Sequence, residues 1–181
     1  MLTVGDKLPE FSVVAAKPGF NMPEENGESA FETINNESFS GKWKIIFFYP
    51  KDFTFVCPTE IVEFAKLNEE FADRDAIVMG GSTDNEFVKL AWRREHPDLK
   101  GLNQYSFADN GSLVDGLGVR DKAENVALRA TFVVDPHNVI QHVSVNNLNV
   151  GRNPTEILRI LDGLQTDELC PCNRAVGGDT L

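Results

Sequence analysis

The chain predicts an α/β fold, a mixed sheet flanked by helices, on three observations. The run Trp43 to Tyr49, aromatic and β-branched and bounded by Gly41 and Pro50, reads as a central strand. A helical pattern from about Pro58, a second apolar run over Ala76–Ser82 and a second helical pattern over Asn85–His96 follow it. Strand, helix, strand, helix makes a βαβ unit with parallel strands and a right-handed crossover. Two later runs, Ala130–Val134 opened by Arg129 and Val139–Val145, flank the turn sequence Asp135-Pro136-His137-Asn138 and read as an antiparallel hairpin.

Each element has its own signal. Lys17 to Glu37, punctuated by Pro18, Gly19, Pro23 and Gly27, reads as an inserted loop or hairpin. In the first helix Ile61, Phe64, Leu67, Asn68 and Phe71 keep helical spacing, with Ala65 on the same side. The second helix presents Phe87, Leu90 and Ala91 on one side, and a last helix, Pro154 to Gln165, presents Ile157, Leu158, Leu161 and Leu164. Parallel βαβ, then a hairpin, then a helix is similar in order to a thioredoxin-like fold with an N-terminal extension or insertion. The expected organisation is one domain over residues 1–165 and an irregular, mobile C-terminal tail over 166–181.

Composition narrows the function. With 41% apolar and 25% charged residues, 181 positions suffice for one well-buried core. No apolar run approaches the roughly 20 residues of a membrane helix, and Met1 to Asp6 lacks the basic and apolar segments of a secretory signal, so the expected compartment is the cytoplasm. A net charge of −11 would repel nucleic-acid phosphates and anionic membranes. Three cysteines, Cys57 mid-chain and Cys170 and Cys172 near the end, make an odd count that points to catalytic or redox use over a structural disulfide framework. His96, His137 and His142 lie apart from the cysteines and form no ligand cluster in sequence, so neither metal nor cofactor is expected.

Cys57 is the candidate nucleophile, because a helix N-terminus presents unpaired N–H groups and the positive end of the macrodipole, which favour a thiolate over a thiol. Pro58 marks that start. Asp52 and Glu60 stand close in sequence and oppose a second negative charge, so a cation must offset them. Lys51 is near but on a flexible stem. Arg129 is the better candidate: if strand 130–134 runs antiparallel beside strand 43–49, its first residues meet the end of the other strand, next to the loop that carries Cys57. Thr54 sits three residues before Cys57, where a Cys-x-x-Cys motif would place its first cysteine, so no local disulfide can close and the thiol needs a partner from elsewhere. The Thr54 hydroxyl can donate to or accept from an oxygen substrate, and Pro50 shapes the loop.

The segment Pro50-Lys51-Asp52-Phe53-Thr54-Phe55-Val56-Cys57, extended by Pro58-Thr59-Glu60, resembles the Pro-x-x-x-Thr-x-x-Cys signature of the peroxiredoxins. The likeness continues through Trp92, Arg129 and Val150 to Glu156, and ends in Glu168-Leu169-Cys170-Pro171, similar to the resolving-cysteine motif of typical 2-Cys enzymes of the alkyl hydroperoxide reductase C type. The resemblance implies a thiol-dependent peroxidase acting on hydrogen peroxide, alkyl hydroperoxides and peroxynitrite. It assigns attack on the peroxide to Cys57, charge stabilisation to Arg129 and Thr54, and orientation of Arg129 and Arg152 to Glu60. It makes Cys170 of a second copy the resolver, with Cys172 an extra thiol that exchanges with it or passes oxidising equivalents on. It implies a homodimer formed through the edge strand of the hairpin, a ring of dimers, and re-reduction by a dithiol protein: thioredoxin, a small Cys-x-x-Cys adaptor of the same reductase system, or a flavoprotein disulfide reductase. The overoxidation-sensitive members carry a Gly-Gly-Leu-Gly segment and an extra C-terminal helix. Here Lys100-Gly101-Leu102-Asn103 occupies the corresponding region and the sequence stops at Leu181, so quick resolution and resistance to overoxidation are expected. The competing readings are a thioredoxin-like thiol–disulfide oxidoreductase and a holdase chaperone.

Overall fold

Runs whose successive side chains all find apolar cover build the centre of the molecule. The computed structural model describes residues 1–181. Its elements are β1 (Ser12–Ala16), β2 (Glu24–Glu25), β3 (Glu28–Ser29), β4 (Phe31–Asn35), β5 (Trp43–Phe48), α1 (Cys57–Lys66), α2 (Asn68–Ala72), β6 (Ala76–Ser82), α3 (Glu86–Glu95), β7 (Tyr105–Ala108), α4 (Ser112–Leu117), β8 (Arg120–Asp121), β9 (Val126–Ala127), β10 (Arg129–Val134), β11 (Ile140–Asn146) and α5 (Pro154–Gln165). A seven-stranded sheet has the order β11-β10-β5-β6-β7-β1-β4. β5, β6 and β7 pair in parallel, and the remaining neighbours are antiparallel.

Helices cover both faces, so β5 alternates between two cores instead of between core and water. Ile45 and Phe47 pack with Ile61 and Phe64 of α1, with Trp92, and with Ile157, Leu158 and Leu161 of α5. Ile46 and Phe48 pack on the other side with Phe107, Phe132 and the α4 residues Leu113, Val114 and Leu117. No helix is long and apolar enough to cross a membrane.

The structure departs from the sequence reading at several places, among them β7 and α4, which that reading did not contain. The helix expected to run through Phe71 breaks at Leu67 (φ −96°, ψ 6°), whose N–H donates to Phe64 O at 3.1 Å, so two helices replace one. In α3 the expected apolar side is right only at Leu90: Phe87 is 58% exposed, and the other buried side chains are Lys89, Trp92 and Arg93. Arg93 tolerates burial because it donates to the carbonyls of Lys17 (2.7 Å), Phe20 (2.9 Å) and Gln104 (2.9 Å) and to Ser106 Oγ (2.7 Å), fastening the N-terminal insertion. That insertion is a hairpin, β2–β3, followed by β4, an edge strand that the reading missed along with its partner β1. The tail after Gln165 is irregular but not loose. Arg174 donates to Asp162 Oδ2 at 2.7 Å, as does the Gly177 N–H at 3.0 Å, and Arg74 bonds the other oxygen at 3.3 Å. Burial opposes ionisation of Asp162, yet these donors together hold its carboxyl below the usual range.

One glycine fixes how α1 meets the sheet. Gly80 lies opposite Phe47 in the parallel register, and a methyl there would land on the Phe47 ring, which stacks on Phe64 with centroids 4.2 Å apart. Gly80→Ala is expected to cost about 1–3 kcal/mol through this overpacking; urea unfolding measures it, and an unchanged midpoint would show that the ring does not lie over Gly80.

Candidate active site

The site is assembled where β5 ends, a loop turns, and α1 begins. Cys57 is the first residue of α1, with Pro58 second, one position earlier than the proline signal placed the start. Its side chain is 1% exposed and joins the core beneath α1 and α5. The predicted antiparallel pairing holds, with Thr131 opposite Phe47 and Val134 opposite Lys44, so Arg129 opens β10 beside the loop. Arg129 Nη1 approaches Cys57 Sγ at 3.4 Å and Glu60 Oε2 at 2.8 Å, while its Nε donates to Leu148 O at 2.7 Å.

Glu60, one turn along α1 and 3% exposed, is the anchor of this cluster. Besides Arg129, it accepts from the Arg152 backbone N–H (3.1 Å) and Nε (2.8 Å) on one oxygen, and from Arg152 Nη2 (2.8 Å) on the other. Arg152 is no surface cation: its side chain is 3% exposed, its Nη1 donates to Ala130 O at 2.9 Å, and its guanidinium lies 5.2 Å from the Phe47 ring centroid. Two guanidinium groups and one carboxylate leave a buried unit positive charge beside the thiol. An anionic sulfur there would neutralise the cluster.

The loop from Pro50 to Val56 closes over the thiol. A cleft of about 430 Å³ is lined by Pro50, Lys51, Thr54, Cys57 and Arg129, and on its far wall by Glu124, Asn147, Leu148 and Asn149. Lys51 is exposed at the mouth and does not bond the sulfur. Thr54 Oγ1 donates to Lys51 O at 2.9 Å, so its hydrogen closes a turn and its lone pairs are left to accept. Trp92 of α3 stacks on Phe53 of the loop (5.9 Å, 28°) and packs against Tyr49 (6.0 Å, 54°).

Asp52 is offset by a residue that the sequence reading did not single out. Its carboxylate is buried against Lys89 Nζ at 2.7 Å and Ser82 Oγ at 2.6 Å. The signal was present: Lys89 precedes Trp92 by three positions on α3, so both lie on one face.

The other two thiols lie elsewhere. All three cysteines are free; Cys170 and Cys172 are exposed. Cys170 opens onto a separate groove of about 780 Å³ between α5 and the tail, where its Sγ lies 3.5 Å from Thr166 Oγ1. His142 lines the same groove, and burial lowers its pKa. No group of three or more His, Cys, Asp or Glu side chains gathers to hold a metal ion.

Comparison with known proteins agrees with this geometry. The model of the AhpC/TSA family matches residues 4–143. Alkyl hydroperoxide reductase C of Mycolicibacterium smegmatis is 50% identical over 184 residues, covering 100% of this chain and 94% of that protein. The solved structure of Mycobacterium tuberculosis AhpC superposes with a TM-score of 0.86 at 46% identity, covering 94% of this chain and 97% of that one. A reduced 2-Cys peroxiredoxin of Plasmodium vivax gives a TM-score of 0.88 at 31% identity, covering 99% and 93%. The full-length likeness, with a buried thiol held against an arginine at a helix start, shows that the chain belongs to the AhpC/TSA family of thiol-dependent peroxidases.

Proposed function

We propose that Cys57 reduces hydroperoxides and that Cys170 of a second copy resolves the product. The observation that carries this reading is the Cys57 sulfur, 1% exposed, within 3.4 Å of a guanidinium in a cluster of net positive charge that opens to a cleft. The thiolate attacks the terminal peroxide oxygen in line with the O–O bond. An S–O bond forms as O–O breaks, the two electrons leave on the departing oxygen, and that oxygen takes up a proton to become water or an alcohol. In the transition state one negative charge is spread over sulfur and both oxygens. Arg129 and the first-turn N–H groups of α1 stabilise it without reorganising, and Thr54 Oγ1 is free to accept the peroxide O–H. Glu60 holds both guanidinium groups in place through its two oxygens.

The sulfenic acid then condenses with the Cys170 thiol, forming a disulfide and releasing water. Support for a partner's thiol comes from the separate cavities onto which Cys57 and Cys170 open. β11 ends the sheet, an edge at which a second copy can pair to give the homodimer, with dimers joining into a ring. The reductant is a dithiol protein: thioredoxin, a flavoprotein disulfide reductase or a small Cys-x-x-Cys adaptor, with the extra thiol Cys172 favouring the adaptor. Cytoplasmic residence is part of this reading, supported by an odd count of three cysteines, which suits redox use over a structural disulfide framework.

Two experiments test this reading. Cys57→Ser should abolish peroxide consumption, and Arg129→Met should lower the second-order rate constant about 10²–10³-fold; stopped-flow peroxide decay measures both, and a rate for Arg129→Met within threefold of the parent would remove the arginine from the mechanism. On non-reducing gels after peroxide, Cys170→Ser should lose the disulfide-linked dimer and Cys172→Ser should keep it. The reverse pattern would reassign the resolver. A chaperone role predicts that Cys57→Ser leaves the suppression of aggregation intact, and an oxidoreductase role predicts efficient reduction of insulin disulfides.

A further inference from the structure

The loop that closes the site is fastened to the body of the protein at few points. Residues 51–55 make no backbone–backbone hydrogen bond. Phe53 holds a left-handed conformation, φ 57°, which costs a non-glycine residue about 1–2 kcal/mol. The Thr54 hydroxyl bonds within the loop, and Phe55 is 94% exposed. Two side chains tie the segment down. Phe53 lies on Trp92, and Asp52 is driven into the core, its carboxylate 0% exposed beside a Lys89 side chain 1% exposed. The Asp52 backbone N–H donates to Asp84 Oδ2 at 2.8 Å, and Ser82 Oγ contacts both Asp52 and Lys89. Lys89 Nζ also lies 5.1 Å from the Tyr49 ring centroid. Burial lowers the Lys89 pKa, while Asp52, Asp84 and the Cys57 thiolate raise it again.

We propose that Lys89 is a positioning residue for the peroxidase reaction: its buried ion pair with Asp52 pins the strained loop shut, and release of that pin lets Cys57 leave its pocket. The two halves of the cycle ask opposite things of the loop. Reaction with peroxide needs Thr54, Cys57 and Arg129 gathered at one cleft. Disulfide formation needs the buried Cys57 sulfur brought out to a thiol that opens onto a different groove, which requires the loop and the first turn of α1 to unfold. A buried ion pair suits this balance. It is closely directional while formed, and breaking it by removing one partner leaves an uncompensated charge that drives the segment towards water.

The inference rests on the assignment of Cys57 and Cys170 above, and its test separates the two. Single-turnover stopped flow, following tryptophan fluorescence with Trp92 beside the loop and quenched samples for the disulfide, gives the peroxide step and the resolving step independently. Lys89→Met should slow the peroxide step about tenfold and speed disulfide formation about threefold. Lys89→Met with Asp52→Asn, which removes the orphaned charge and keeps the Ser82 contact but lacks the ion pair, should move both rates in the same directions as Lys89→Met by smaller factors. Where Lys89→Met fails to fold, Ser82→Ala decides, because it loosens the same pair without leaving a charge unmatched; both steps should move in the same directions by smaller factors. Both rates falling together, or neither changing, would overturn the role of Lys89. A parent protein that forms no Cys57–Cys170 disulfide would instead overturn the assignment on which it stands.

Discussion

One carboxylate facing two guanidinium groups is the constraint on which the site depends. Glu60, Arg129 and Arg152 are each nearly inaccessible to water, and each charge would be costly to bury without the others. Their pairing is therefore possible only when α1, the start of β10 and the segment before α5 have all docked. The same docking leaves one positive charge over. That surplus stands 3.4 Å from a sulfur at a helix start. The proposed reactivity and the fold thus draw on the same charges, and a defect in the packing of any of the three elements reaches the thiol directly.

The apolar scaffold holds that cluster from behind. Phe47 of β5 stacks on Phe64 of α1 and lies beneath the Arg152 guanidinium, and it has room because Gly80 on the neighbouring strand carries no side chain. Sheet register, helix placement and arginine orientation therefore converge on one ring. On the opposite side of the thiol the support is polar: Asp52, Ser82 and Lys89 tether a loop that contains a left-handed phenylalanine. A rigid apolar wall and a tethered loop suit the proposed role of Cys57, which is first enclosed and later released. The C-terminal tail follows a similar plan, irregular in backbone yet held by Asp162 between Arg74 and Arg174.

Central strands were legible because β5, β6, β10 and β11 are uninterrupted runs with turn residues at their ends, and α5 because its proline start and apolar spacing agree. β1, β4 and β7 were not. Four or five residues long, they take their character from the neighbours that β1 pairs with on either side. The face of α3 was misread for a related reason. Periodicity counts apolar residues, whereas Lys89 and Arg93 are buried by hydrogen bonds that only distant backbone and side chains can supply. In the site, Cys57, Thr54 and Pro50 were readable from their mutual spacing, and Arg129 from the expected strand pairing; the roles of Lys51 and Arg152 could not be ranked without knowing which of them is enclosed.

The sequence by itself determined the α/β class, the helix start to within one residue of the thiol and the identity of the thiol's neighbours along the chain, since these rest on interactions within a few residues. Only the tertiary structure decided which charge meets which: Glu60 with two arginines, Asp52 with Lys89, and Cys57 with Arg129 across 72 positions of the chain. The physical reason is that an ion pair has worth only where water has been excluded, and exclusion belongs to the packed whole rather than to any stretch of residues.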